Sequence, residues 1–150
     1  MLVSGSMKAL DWSRSPAAEE VQVKLQPHAR REQELVLSLP ETRLAELLAG
    51  LQALLSTGAE HTEFRLALPQ GVTIYWKRGN SETRLMVARP DSSSWVATIL
   101  IAEGKSQELI TLLKALPERG EVAFAQLTGI WKLSNLELRL LWLASATVRL

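Results

Sequence analysis

The chain has no cysteine, so disulfide frameworks, cysteine-based zinc sites and thiol nucleophiles are excluded outright. It has little histidine either. His28 and His61 fall in predicted loops, far apart and without the spacing of metal ligands, and read as surface residues. No Ser/His/Asp pattern or nucleophile elbow occurs. Gly104-Lys105-Ser106 follows a strand-like run, but a phosphate-cradling loop needs a glycine five residues earlier, where Ile99 stands. That stretch reads as a helix entry. No catalytic residue, metal or cofactor is expected, and the chain reads as a non-enzyme.

Long apolar runs are missing as well. "WVATILIA" and "LRLLWLASA" fall far short of the ~20 residues of a spanning helix, so no membrane partner is expected. The opening "MLVSGSM" lacks a basic segment leading into an apolar one. Residues 1–6 read as a cloning scar and 7–17 as a flexible N-terminus, and the setting expected is cytoplasmic. Seventeen Lys and Arg stand against sixteen Asp and Glu, a balance that neither demands nor forbids an anionic partner. Only local clustering of charge can decide.

What is present is enough apolar residue for a packed core and an internal echo. Trp76, Lys77, Asn80, Glu82, Arg84 and Leu85 return 55 positions on as Trp131, Lys132, Asn135, Glu137, Arg139 and Leu140. Leu44, Leu47, Leu48, Leu51, Leu54 and Leu55 mark one face of a helix over 41–55, opened by Pro40 and Glu41. A second helix over 104–116 carries Leu109, Leu112, Leu113 and Leu116 and is stopped by Pro117 and Gly120. Shifting by 62 lays Glu41, Leu47, Leu51 and Leu54 on Glu103, Leu109, Leu113 and Leu116, and shifting by 58 lays Glu63, Ala67 and Gly71 on Glu121, Ala125 and Gly129.

Strands are expected near 20–26, 34–39, 62–68, 72–78, 83–89, 95–101, 121–127, 130–134, 137–144 and 146–149. The reading is α+β: internally duplicated antiparallel sheets with two helices on one face. Residues 18–150 form one domain, with a leading hairpin about 20–39, copy one about 40–101 and copy two about 103–150. Short links such as "RGNSE" and "RPDSSS" imply antiparallel neighbours.

Alternation along the strands divides core from outer face. It places Trp76 and Trp131 as core plugs. Lys24, Arg65, Tyr75, Lys77 and Arg84 fall on an outer face, with Lys132 and Arg139 in the second copy. Cations that follow phosphates beside a ring that stacks a base suit single-stranded DNA or RNA. The same face also reads as solvated pairs, Glu63 with Arg65 and Glu82 with Arg84. In copy two, Ala123, Ala125, Ile130 and Leu141 make the outer face apolar, implying contact with the other copy or a homo-oligomer interface.

Tandem units of four strands and a helix, with sheets open on one side, resemble the Whirly, PUR and kinetoplast guide-RNA-binding group. The likeness covers about residues 18–150 in topology alone. The leading hairpin departs from it, and the Lys-Gly-Lys signature of Whirly proteins is missing, so no site residue is carried over. The resemblance implies single-stranded nucleic-acid binding across a sheet. Two alternatives stand beside it: a protein-binding or assembly role through the apolar second copy, which a cystatin-like arrangement also implies, and a small-molecule cleft between sheet and helices.

Overall fold

The computed structural model describes residues 21–29, 31–56, 62–68, 70–125, 129–134, 136–144 and 147–148. The segments read as a scar (1–6) and a flexible N-terminus (7–17), together with His61 and Asn135, lie outside the described residues. The elements, in order, are β1 (Gln22–Pro27), β2 (Glu32–Ser38), α1 (Glu41–Leu55), β3 (Glu63–Leu68), β4 (Val72–Asn80), β5 (Arg84–Asp91) and β6 (Ser94–Ala102). A 3₁₀ turn (Glu103–Lys105) then leads into α2 (Ser106–Arg119), β7 (Glu121–Ala125), β8 (Gly129–Ser134), β9 (Glu137–Leu143) and the two-residue β10 (Thr147–Val148). The architecture is α+β, with two sheets and two helices. No described helix is long and apolar enough to cross a membrane.

α1 forms where expected. Leu44, Leu47, Leu51, Leu54 and Leu55 are buried, the stripe that leucines three and four apart must make. The backbone turns extended at Ser56, whose Oγ donates to the carbonyl of Gln52 at 2.6 Å. α2 runs to Arg119, three residues past the expected end at Leu116, with Pro117 inside it. Gly120, the second expected stop, ends it, at φ 80° with its N–H on the Leu116 carbonyl at 2.8 Å, because a residue without Cβ enters the left-handed region at no steric cost.

One sheet has the order β1-β2-β9-β8-β7 and the other β10-β5-β6-β4-β3. The first is antiparallel throughout. The second corrects the expected pairing. β6 inserts between β5 and β4 and runs parallel to β4, and β10 pairs parallel to β5. Four Cα steps from Asn80 to Arg84 can reach ~13 Å, enough to cross the ~10 Å of two strand spacings. A bulge between Arg78 and Asn80, with Gly79 at φ 95°, ends the regular register of β4. The Ala102 N–H donates to Thr83 Oγ1 at 3.0 Å, tying the link to β6. Between β5 and β6 the expected turn is present, with Asp91 Oδ1 accepting from the N–H and hydroxyl of Ser93.

The two sheets and both helices share one core. Phe64 and Trp76, register partners on β3 and β4, stack with ring centroids 5.2 Å apart. Phe124 and Trp131, register partners on β7 and β8, meet edge to face at 5.8 Å. Both tryptophans are fully buried, as their phase requires. α1 touches β3 and β4, α2 touches β7, and the helices touch each other. Trp95 of β6 meets Trp142 of β9 at 5.9 Å, so the sheets also join directly.

Gly129 permits that junction. A Cβ there would strike the Leu141 carbonyl and come within 2.9 Å of Leu85 Cδ2 on the other sheet. Gly129→Ala is therefore expected to cost about 1–3 kcal/mol by overpacking, and Trp131→Ala about 3–5 kcal/mol by leaving a cavity. Urea-unfolding midpoints check both.

Candidate nucleic-acid interface

Each sheet turns one set of alternate side chains to the core and the other outward. The expected cations divide between the two outer faces. Arg65, Tyr75, Lys77 and Arg84 lie together on the β10-β5-β6-β4-β3 sheet. One cross-strand row there is Glu63, Lys77, Leu100 and Arg84, and the next is Arg65, Tyr75, Thr98 and Met86. Lys24, Lys132 and Arg139 share a row of the other sheet, with Ala123 and Val36. Grouping Lys24 with copy one is thus corrected: β1 joins β2, which pairs with β9.

On the first face the ring of Tyr75 is half-buried. Lys77 Nζ sits 5.6 Å from its centroid, and Arg65 is its register partner. Lys77 reaches Glu63 at 3.4 Å and Arg84 reaches Glu82 at 3.6 Å. All four side chains of these pairs are more than a third exposed, so each pair is worth only ~0–1 kcal/mol and yields readily to a competing anion. The Glu82 pair matches the solvated pairing expected from sequence. Glu63 pairs with Lys77 across the strands. Three cations thus stand against Glu63 on the sheet and Glu82 at its rim. Met86, 38% exposed, adds an apolar surface beside Thr98.

The second face is not basic. Lys24, Lys132 and Arg139 are outnumbered by Glu32, Glu34, Glu121 and Glu137 on its outward positions. Glu34 is the one charged residue buried among those described, at 6% exposure. Its Oε1 accepts from Gln26 at 2.8 Å and its Oε2 from Arg139 at 3.3 Å, with His28 Nδ1 at 3.9 Å. Burial acts to raise the Glu34 pKa, but Gln26 and Arg139 outweigh it and the net shift is downward. Arg139 also donates twice to Glu137 Oε1, at 2.8 and 3.1 Å. Those bonds hold its guanidinium charge more firmly than usual, against the opposing effect of burial.

Of the expected interface residues, Ala123 is exposed while Ile130 and Leu141 are half-buried. Ala125 is register partner to Ile130. Ile130 and Leu141 line a recess of about 370 Å³ beside Glu34, Lys132 and Arg139. Glu34 was missed from sequence, although Glu32, Glu34, Val36 and Ser38 alternate with Leu35 and Leu37 and so fall on the outer side. Among the described residues no group of three or more His, Asp or Glu gathers to hold a metal.

No family model, curated protein or solved structure matches this chain.

A group whose pKa is lowered by folding stabilises in full above its ordinary value and loses that contribution as pH falls through the folded value. Glu34→Gln is accordingly expected to destabilise by about 1–3 kcal/mol at pH 7. The deficit should shrink toward zero below the ordinary carboxylate value near 4.5 as Glu34 itself protonates. Denaturant curves of both proteins from about pH 3 to 7 check the sign.

Proposed function

We propose that the chain binds single-stranded nucleic acid across the outer face of the β10-β5-β6-β4-β3 sheet, without catalysis. The carrying observation is the pair of adjacent cross-strand rows that unite Arg65, Lys77 and Arg84 with the ring of Tyr75. Neighbouring strands lie ~4.8 Å apart, so the cations form a two-dimensional array over which a flexible backbone can run. Tyr75 offers a base a flat partner, and Met86 and Leu100 extend the apolar surface. Phosphates would displace Glu63 and Glu82 from exposed pairs at little cost. The reading narrows the site to four residues and leaves out Lys24, Lys132 and Arg139, whose face carries more carboxylates than cations.

The same reading takes the platform as half of an internal duplication. The repeated unit is redrawn from the expected helix followed by four strands, copies about 40–101 and 103–150, to a hairpin, a helix and a second hairpin: β1-β2, α1, β3-β4, then β5-β6, α2, β7-β8. Each sheet combines the leading hairpin of one unit with the trailing hairpin of the other, and β9 is interposed between β2 and β8. The matching Phe64–Trp76 and Phe124–Trp131 pairs support it. They set the β3-to-β7 offset at 60, two residues beyond the 58 of the sequence echo and in the same facial phase.

Fluorescence anisotropy with labelled single-stranded DNA and RNA tests the function. With three phosphate contacts, log K should fall by ~2 per tenfold rise in salt. Tyr75→Ala should weaken binding by ~1–3 kcal/mol, whereas Lys24→Ala should leave it unchanged. Affinity indifferent to salt, or to Tyr75 and Lys77 variants, would remove the proposal.

A further inference from the structure

The outer face of the β10-β5-β6-β4-β3 sheet changes character from one cross-strand row to the next. The first row holds Arg84 and Lys77 with Leu100 between them, and Glu63 on β3. The second holds Tyr75 with Met86, Thr98 and Arg65. A third row, Ala88, Val96, Thr73 and Ala67, carries no charge and no long side chain. Ala88, Val96 and Thr73 are half-buried and Ala67 is buried, so this row makes a low, mainly apolar shelf beside the ring of Tyr75. Carboxylates close the face to phosphate at both ends. Beyond the first row stand Glu82, on Arg84 at 3.6 Å, and Glu103, whose Oε1 would lie 3.9 Å from a Cβ on Gly79. Beyond the third stands the exposed Asp91 at the β5–β6 turn. Arg89, near that turn, lies over the Trp95 ring at 5.2 Å, in the inward phase of β5.

We propose that a single-stranded nucleic acid runs along these rows, across the β-strands, with its sugar-phosphate backbone over Arg84 and Lys77 and its bases over the Tyr75 row and the uncharged shelf. This arrangement rests on the nucleic-acid reading of the face, and it adds the ligand's direction and length and the residues that receive its bases. A nucleotide sets its phosphate and its base on opposite sides of the sugar, so cations for one and a ring for the other belong side by side. Here they occupy adjacent rows, ~6.7 Å apart along each strand. A ligand running along β4 instead would pass from Lys77 over Tyr75 and Thr73 toward the Asp91 turn, leaving Arg84 unused. From β5 to β3 the face spans ~14 Å. That is room for about three to five nucleotides, at ~3.4 Å each when stacked and roughly twice that when extended. The shelf offers one side-chain hydroxyl, that of Thr73, so it receives bases by contact area, and tolerance of sequence follows.

Competition anisotropy on the full chain, with single-stranded oligonucleotides of about 2 to 12 nucleotides and with shelf variants, is the test. Affinity should climb up to about five nucleotides and change by less than about threefold beyond. Thr73→Lys and Val96→Lys should each weaken binding about tenfold although each adds a positive charge, because the new side chain stands where bases lie. Glu63→Gln should strengthen binding about threefold by removing an anion from the backbone row. Thermal unfolding checks that the variants stay folded, and the length series decides if the lysine variants do not. Lysine variants that bind as well as the parent or better, or affinity that rises more than about tenfold between five and twelve nucleotides, would overturn the direction and leave the platform standing. A parent chain without salt-dependent binding would remove both.

Discussion

Two sheets and two helices must share one dry interior, and nearly every other feature follows from how that interior is filled. At each helix-bearing end a tryptophan and a phenylalanine face each other across paired strands, Phe64 with Trp76 and Phe124 with Trp131. Such pairs remove large apolar area and fix the separation of helix from sheet. Neither indole N–H meets an acceptor among the described residues, a cost of about 1–3 kcal/mol for a buried donor. The size and shape of the plug evidently outweigh it.

Once the inner faces are committed to the core, alternation commits the remaining side chains to two separate outer surfaces. The chain's near-neutral charge hides how unlike these are. One face collects Arg65, Lys77 and Arg84 around Tyr75. The other sets carboxylates in one row and cations in the next, and buries Glu34 in the row beyond, beside Leu141. Val36, outward-facing yet only 6% exposed, lies between Lys24 and Arg139 in its row, where the aliphatic stems of such residues can cover it. The first is an open face with more cations than carboxylates, and the second carries more carboxylates than cations.

The helices were legible because leucines at three- and four-residue spacing have no other economical arrangement, and the two core tryptophans because strand alternation leaves them one side to face. The outward positions of Arg65, Tyr75, Lys77, Arg84, Lys132 and Arg139 came from the same period of two. Local rules erred where the chain had a choice of neighbour. A short link after Asn80 was read as a hairpin, yet β5 starts one strand further over and β6 takes the place beside β4. Lys24 was grouped with copy one because β1 is near it in sequence, although β2 pairs with β9, about a hundred residues away.

The sequence by itself determined which segments are helix or strand and which side of each strand meets the core, because those properties depend on residues a few positions apart. Tertiary structure alone decided strand order, the parallel β4–β6 pairing and the company each outward charge keeps. Those depend on which edges meet in space, and a pleated strand presents the same hydrogen-bonding edge to every candidate neighbour.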